Sequence, residues 1–311
     1  MIDVKTLTRD EWLEERRKGI GGSDVGAVLG YNTYKTAYEV WLDKTGQTLP
    51  ENSESEAAYW GTTLEELVAQ EFMKRTDKKV RRTNKMFQHA TYPFLIANVD
   101  RMVVGENAIL ECKTASEYLK DSWNEEEVPA SYLLQVQHYL NVLDKEYAYI
   151  AVLIGGNKFV WKRIERDQEL IDMMTEKLVD FWNNYVLANK EPEVDGSEST
   201  KQLLSMKYGA DYLDEAIVLE DSLNEKIKQL TNNKAIKKEL EKAITKTENE
   251  LKLKLGKNRA TFGLTSLYRV SWKGSKRKNI DLDKLEKEYP EVYKTCTVEK
   301  FVKRFSIKES R

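Results

Sequence analysis

Apolar positions recur along this chain with two periods, and the change from one to the other divides it into elements. Residues 10–17 carry a short helical spacing, which the glycine-rich turn Gly19-Ile20-Gly21-Gly22-Ser23-Asp24 interrupts. Ser23 or Asp24 is placed there to cap a following helix. Residues 36–44 predict another helix, stopped at Gly46. Residues 55–75 predict a longer one, with Trp60, Leu64, Leu67, Val68 and Phe72 on roughly one face. The period then shortens to two. Residues 79–89, 94–104 and 107–113 predict strands, broken at Thr91-Tyr92-Pro93 and Gly105-Glu106-Asn107. Helical spacing returns over 130–143. Residues 147–154 and 158–164 predict a hairpin around Gly155-Gly156-Asn157, and 170–187 a long helix.

Residues 191–200, EPEVDGSEST, are the best linker candidate, which predicts domains over 1–195 and 196–311. Beyond it, 212–255 predicts one long helix, or a helical hairpin broken near Thr231-Asn232-Asn233. Residues 260–273 predict one or two strands, 282–288 a short helix, and 298–307 a closing strand. No internal repeat or low-complexity tract interrupts this order.

Composition narrows the class. Of 311 residues 41% are hydrophobic and 33% charged, with 15 glycines and 5 prolines, which suits packed domains and excludes a fibrous or disordered chain. Mean hydropathy is −0.63. No apolar run approaches the ~20 residues of a membrane helix, and residues 1–10 are polar and mixed in charge. A soluble protein of the cell interior, in the cytoplasm, is the expectation. Two cysteines, Cys112 and Cys296, cannot build a disulfide framework or a four-cysteine metal site, and there are only two histidines, His89 and His138. Any catalytic metal is then held mainly by carboxylates, which favours magnesium or manganese. The net charge of −2 hides a contrast: residues 1–200 sum to −11 and 201–311 to +9. The acidic part suits metal binding and the basic part a polyanion. Residues 234–278 hold 14 basic and 4 acidic side chains, with Tyr268 and Trp272 among them. That pattern fits either a DNA backbone track or the solvated face of a helix.

Four motifs carry candidate chemistry. Asp100 ends one apolar strand, and Glu111-Cys112-Lys113 ends the next. If these strands are neighbours, Asp100 and Glu111 converge on one divalent cation. Period two puts Glu111 and Lys113 on one face, with the Cys112 carbonyl between them as a further ligand. Two carboxylates, a metal and a lysine suit in-line attack of water on a phosphodiester. A solvated strand end reads equally well from spacing alone, since Glu-x-Lys recurs at Glu250-Leu251-Lys252. The turn at 19–24, with Arg16 before it and Ser23 within it, offers backbone N–H groups, a guanidinium and a hydroxyl to a phosphate; a tight helix–helix turn is the plainer alternative. Gln135 and Gln137 are unusual in an apolar helix and can reach a phosphate or a water, or can bond at a helix edge; His138 beside them reads as packing. Glu65 is either a further metal ligand or an exposed helix carboxylate.

Taken in order, WLEERRKGIGGSD, YWGTTLEE, NVD, LECK and LLQVQHYL resemble the YqaJ viral recombinase family, the lambda-exonuclease-like branch of the PD-(D/E)XK nuclease superfamily. The likeness spans residues 10–165, and KRFSIK at 303–308 resembles family members of phages with an extended C-terminus. The resemblance implies an α/β (α+β) fold with a restriction-endonuclease-like core, a mixed sheet flanked by helices, followed by a mostly helical extension ending in β structure. It implies Asp100, Glu111 and Glu65 as metal-binding carboxylates, Lys113 as active-site lysine, Gln135 at the active site, and Arg16 and Ser23 around a 5′-terminal phosphate. One departure stands out. Where the lambda-type member has Ser-Pro-Asp-Gly, this chain has Asn98-Val99-Asp100-Arg101, so a serine contact is lost while Asn98 keeps a donor. The implied activity is magnesium-dependent 5′ to 3′ hydrolysis of double-stranded DNA from its ends, leaving a 3′ single strand. A single-strand annealing protein is the implied partner and a homotrimeric ring the implied assembly. Two alternatives are a structure-selective endonuclease with the same site and a non-catalytic DNA-binding or assembly protein; the intact Asp100, Glu111 and Lys113 argue against the second.

Overall fold

A computed structural model describes residues 2–47, 56–123, 128–208, 216–298 and 304–308, and divides the chain into two units, Met1–Lys207 and Tyr208–Arg311. The first unit opens with strand β1 (Ile2–Asp3) and helices α1 (Arg9–Arg17), α2 (Gly22–Val28), α3 (Ala37–Lys44) and α4 (Glu56–Thr76). Thr8 and Thr36 cap α1 and α3, and a glutamate three residues on closes each capping box. Gly46, at φ +72°, ends the turn after α3. In α4 the buried side chains are Val68, Ala69 and Phe72; Trp60 and Leu67, expected on the same face, are exposed.

Strands β2 (Val80–Arg82), β3 (Lys85–Gln88), β4 (Ile96–Ala97), β5 (Arg101–Val103) and β6 (Ala108–Ala115) follow. Two long expected strands are therefore each split. The 79–89 run breaks at Thr83-Asn84, and its halves join different sheets. The 94–104 run breaks at 98–100, where the backbone leaves one sheet and enters the other. After α5 (Ala130–Leu143) come β7 (Tyr147–Ile154), β8 (Lys158–Glu165) and α6 (Gln168–Phe181), which continues in a wider π-helical turn to Leu187. Helix α7 (Glu198–Lys207) completes the unit. It carries the boundary past the 195/196 position expected from sequence, because Thr200 and Leu203 are buried and Ser199 donates to Glu39 at 2.9 Å.

The main sheet runs β2-β5-β6-β7-β8, antiparallel except for the parallel pair β6 and β7. Strands β1, β3 and β4 form a smaller antiparallel sheet. Period two sorts the central strands between two cores. Ile109, Ala148, Ile150, Val152 and Ile154 meet Val136 and Leu140 of α5, with α2, α3 and α6 behind. Leu110, Cys112, Tyr149 and Ala151 meet Val68, Ala69 and Phe72 of α4 on the opposite face. The expected mixed sheet flanked by helices is the observed architecture.

The second unit contains α8 (Leu223–Lys257), β9 (Phe262–Leu264), β10 (Arg269–Ser271), α9 (Leu282–Glu288) and α10 (Pro290–Cys296). Helix α8 passes through Thr231-Asn232-Asn233 without a break, and the Thr231 hydroxyl donates back to the Ile227 carbonyl at 2.9 Å. The start of the expected long helix, 212–215, lies outside the described residues. The expected closing strand is not seen at Val298 or 304–308, and 299–303 lie outside the described residues. Helix α10, whose Pro290 suits a first helical turn, lies before that segment and was not expected from the sequence. Among the described residues no helix is long and apolar enough to cross a membrane.

Candidate active site

The register of β5 and β6 assembles the core of the site. Arg101 pairs with Leu110 and Met102 with Ile109, so one further step sets Asp100 across from Glu111 on the α5 side of the sheet. Pairing stops there, and the Asp100 carboxylate caps the open end by accepting from the Cys112 N–H at 2.7 Å. In a strand a residue's N–H and carbonyl point the same way, so the Cys112 carbonyl also faces Asp100. The Cys112 side chain faces the other core, where burial pushes its thiol up.

Glu111 is 3% exposed and heavily tied on one oxygen. Its Oε1 accepts from Lys113 Nζ at 2.7 Å and from Gln135 Nε2 at 2.7 Å. Its Oε2 is buried with no hydrogen-bond partner. Burial raises the Glu111 carboxyl, against the opposing charge of Lys113. Burial and then the like charge of Glu111 hold the Asp100 carboxyl well above the usual carboxylate range. Lys113 sits 5.3 Å from the Tyr132 ring centre. Burial alone would discharge it, but Glu111 and Asp100 outweigh burial and hold its ammonium above the ordinary lysine value. A buried and a half-buried carboxyl pressed together, the buried one with an oxygen aimed at no donor, fit a divalent cation and its charge.

Gln135 is placed by its own helix. Tyr139, one turn on, takes a 2.9 Å hydrogen bond from the same Nε2 that holds Glu111. Gln135 therefore positions Glu111. Gln137, expected at the substrate, is turned the other way. It is buried, its Nε2 donates to the Glu165 carbonyl at 2.7 Å, and its Oε1 accepts from the Asp167 N–H at 3.0 Å. Two residues along a helix is about 200°, so the two glutamines cannot share a face. Gln137 holds the β8–α6 turn.

Glu65, expected as a third ligand, belongs to the opposite face. It is bonded by Arg101 and, at 2.9 Å, by Arg82; Arg101 also holds Glu66 at 2.7 Å. The buried Arg101 points away from Asp100 because adjacent strand residues alternate. The charge of Glu65 still raises Asp100 and Glu111. Among the described residues no group of three or more carboxylate, histidine or cysteine side chains is spaced to share one ion. Asn98 is half-buried at the break between β4 and β5, two residues before Asp100.

Arg16 and Ser23 are brought together, the guanidinium hydrogen-bonded to the hydroxyl. Ser23 is exposed, and Arg16 lies 5.4 Å from the centre of the Trp12 ring. Beneath them is Asp24, a fully buried hub. It accepts from Lys35 at 2.9 Å, from Lys44 at 2.9 Å and from the Gly21 N–H at 3.2 Å, with Arg16 at 4.0 Å. Burial alone would raise its carboxyl, yet Lys35, Lys44 and Arg16 hold it far below the ordinary range. Asp24 thus fixes α1, α2 and α3 about the glycine turn. A Cβ on Gly22 would lie 2.4 Å from the Tyr139 ring and 3.0 Å from Gln135 Cγ. The turn at Arg16 and Ser23 is in this way coupled to the helix that holds Glu111.

Sequence reasoning missed Arg101 and Tyr139 and assigned Asp24 only a capping role. Tyr139 had a signal in its i+4 spacing from Gln135; the lysines that meet Asp24 come from distant positions and had none. His138 is buried packing as expected, its Nε2 bonded to the Ile96 carbonyl at 2.9 Å.

Comparison with known proteins places the chain in a lineage. A model of the YqaJ-like viral recombinase domain matches residues 11–146. The uncharacterized protein YqaJ of Bacillus subtilis strain 168 is 48% identical over 305 residues, 97% of this chain and 95% of that protein. Among solved structures, the alkaline exonuclease of Laribacter hongkongensis aligns with TM-score 0.49 at 17% identity, over 65% of this chain and all of that one. A phage-related exonuclease from Haemophilus somnus aligns with TM-score 0.46 at 16% identity, over 56% of this chain and 96% of that one. Identity at this level over nearly the whole length shows descent, and the chain belongs to the YqaJ-like viral recombinase family.

Proposed function

We propose that this chain is a metal-dependent nuclease that degrades double-stranded DNA from its ends in the 5′ to 3′ direction, in a recombination system of phage type. The observation that carries the reading is the Asp100–Glu111 pair, with the unpartnered Glu111 Oε2 and the charged Lys113 beside it. Its membership in a viral recombinase family supports the recombination role.

Asp100, Glu111 and the Cys112 carbonyl are the groups that would hold magnesium or manganese. Once bound, such an ion neutralises charge developing on the phosphate and makes water a stronger nucleophile. The chain's own residues do the rest. Glu111 Oε1 is fixed by Lys113 and Gln135, which leaves Oε2 directed into the site. Lys113 orients the attacking water and stabilises negative charge on the phosphate oxygens as the bond to the leaving oxygen lengthens. Arg16, Ser23 and the turn before α2 bind the 5′-terminal phosphate, and Asn98 donates to a phosphate at the chain break. A homotrimeric ring enclosing the duplex, a single-strand annealing protein as partner and the host cytoplasm as location complete the proposal.

Plasmid substrates test it. Linear DNA with 5′-phosphorylated ends should be consumed with magnesium or manganese, while closed circles persist. Lys113→Ala should lose cleavage by at least roughly 100-fold while binding duplex as wild type does, since lysine serves the transition state. Manganese should raise the melting temperature of the wild type but not of Asp100→Asn. Nicking of closed circles would replace the exonuclease by an endonuclease. No cleavage with any divalent ion would leave a DNA-binding protein.

A further inference from the structure

The second unit carries an exposed aromatic and basic surface for which the active site has no use. Residues 251–280 include nine lysines and arginines and no aspartate or glutamate, in a chain where acidic residues outnumber basic ones. Within this stretch the β9–β10 hairpin is held by one face. Gly263 and Val270 are half-buried, and a Cβ on Gly263 would lie 3.2 Å from Leu255, the buried side chain of α8. The register pairs Arg269 with Leu264 and Ser271 with Phe262. Period two turns these four outward, and all four are exposed.

Aromatic and cationic side chains are exposed around the hairpin: Phe262 and Arg269 on its outward face, Tyr268 at its turn, and Trp272 at its edge, in phase with Val270. Phe262 is 44% exposed, Trp272 52% and Tyr268 71%. The Arg269 guanidinium stands 4.4 Å from the Phe262 ring centre, and Trp272 leans on the helix end at Gly256. Lys273, Lys276, Arg277 and Lys278 continue the charge beyond the hairpin. So many large apolar side chains exposed within eleven residues mark an interaction surface. A basic field with no acidic member selects a polyanion. Flat rings left open select a polyanion with flat, accessible faces, which an acidic peptide lacks and a duplex keeps stacked inside.

We propose that the β9–β10 hairpin and the basic run 273–278 form a binding surface for single-stranded DNA. The inference rests on the nuclease reading, because stripping one strand from a duplex leaves the other unpaired with its bases free to stack. Phosphates lie along the lysines and arginines, and bases stack on the exposed rings of Phe262 on the outward face, Tyr268 at the turn and Trp272 at the hairpin edge.

Fluorescence anisotropy of labelled oligothymidine, with the full chain in EDTA, tests the surface without cleavage. Duplex of equal length and polyglutamate serve as competitors. Trp272→Ala should weaken oligothymidine binding roughly 5- to 100-fold. The double variant Arg277→Ala/Lys278→Ala lies outside the hairpin and spares its fold. It should weaken binding and reduce the slope of log affinity against log salt by about 1.4. Wild-type affinity and slope in both variants would overturn the proposal, as would competition by duplex or polyglutamate equal to that of oligothymidine. Failure of the two readings is separable. Loss of binding in these variants with no cleavage by the wild type would retire the nuclease and keep the surface. End-dependent cleavage with unchanged single-strand binding would do the reverse.

Discussion

A close pair of carboxyls, Asp100 and the buried Glu111, and one buried histidine set the chemistry of single residues. Asp100 and Glu111 carry a like-charge conflict that the fold tolerates because the Cys112 N–H satisfies one Asp100 oxygen and Lys113 and Gln135 together satisfy one Glu111 oxygen. His138 is the opposite case, a base kept neutral. Burial pulls its imidazole down to about 4, against the favourable charge of Asp24, with His89 a further cation-disfavouring neighbour. An unfolded histidine titrates near 6.5. Between those values the unfolded chain binds the proton and the folded chain refuses it, so stability falls as pH drops through this window. From pH 7 to pH 5, His138 should remove about 2 kcal/mol. His89, also lowered by burial, adds in the same direction. Six of the seven tryptophans lie in the first unit, so intrinsic fluorescence during urea unfolding reports on it. His138→Gln keeps a donor for the Ile96 carbonyl and should flatten the pH dependence. A variant as steep as wild type between pH 5 and 7 would assign the loss to other groups.

At the scale of elements, the close crossing of α2 over α5 joins the two halves of the site. Gly22→Ala would drive a methyl to 2.4 Å from the Tyr139 ring, which is itself bonded to Gln135. Relief requires the helices to part. The expected result is a loss of about 1–3 kcal/mol in stability, and of roughly 10- to 100-fold in cleavage as Glu111 loses its fixed position. Gly21→Ala is the control, since its Cβ would find neighbours only at 3.8 and 3.9 Å; it should cost less than about 1 kcal/mol. Equal behaviour of the two variants would show that the crossing does not govern the site. Elements of this kind were legible where local signals agree. Thr36 with Glu39 marks α3, Gly155-Gly156 marks the β7–β8 hairpin, and the apolar run at 108–110 marks the central strand. The strand break at 98–100 was not legible, because its cause is a switch of sheets that no residue there announces. The same break ends pairing beside Asp100 and lets its carboxylate turn to Cys112, so the least readable feature of the backbone is the one that builds the site. The surroundings of Glu65 were not legible for a related reason: spacing gave its helix, but which face of the sheet that helix covers is settled by Val68, Ala69 and Phe72 packing on Leu110 and Cys112.

At the scale of the molecule, the two units differ in how they are stabilised. The first encloses a sheet between two cores, with most of β6, β7 and α5 buried. The second is built on a 35-residue helix in which Leu255 is the buried side chain. Ile236, Leu240, Ile244 and Leu251 are exposed along α8 at helical spacing. Its visible local support is ion pairs such as Glu248–Lys252 at 2.8 Å and Lys237–Glu241 at 3.7 Å. Exposed pairs of this kind contribute about 0.3–0.5 kcal/mol each, and a helix without tertiary packing is only marginally stable in water. Hydrogen exchange should separate the units. Amides in the middle of α8 should exchange roughly 1,000-fold faster than those of α5, β6 and β7 under the same conditions, since local opening there breaks no core. Oligothymidine in EDTA should slow exchange in β9 and β10 and leave the middle of α8 unchanged. Protection of α8 equal to that of β6 in the protein alone would mean that its apolar positions are covered by another copy of the chain. Helix α8 would then be an assembly element, and the charge of the second unit would be shared between self-association and the binding of DNA.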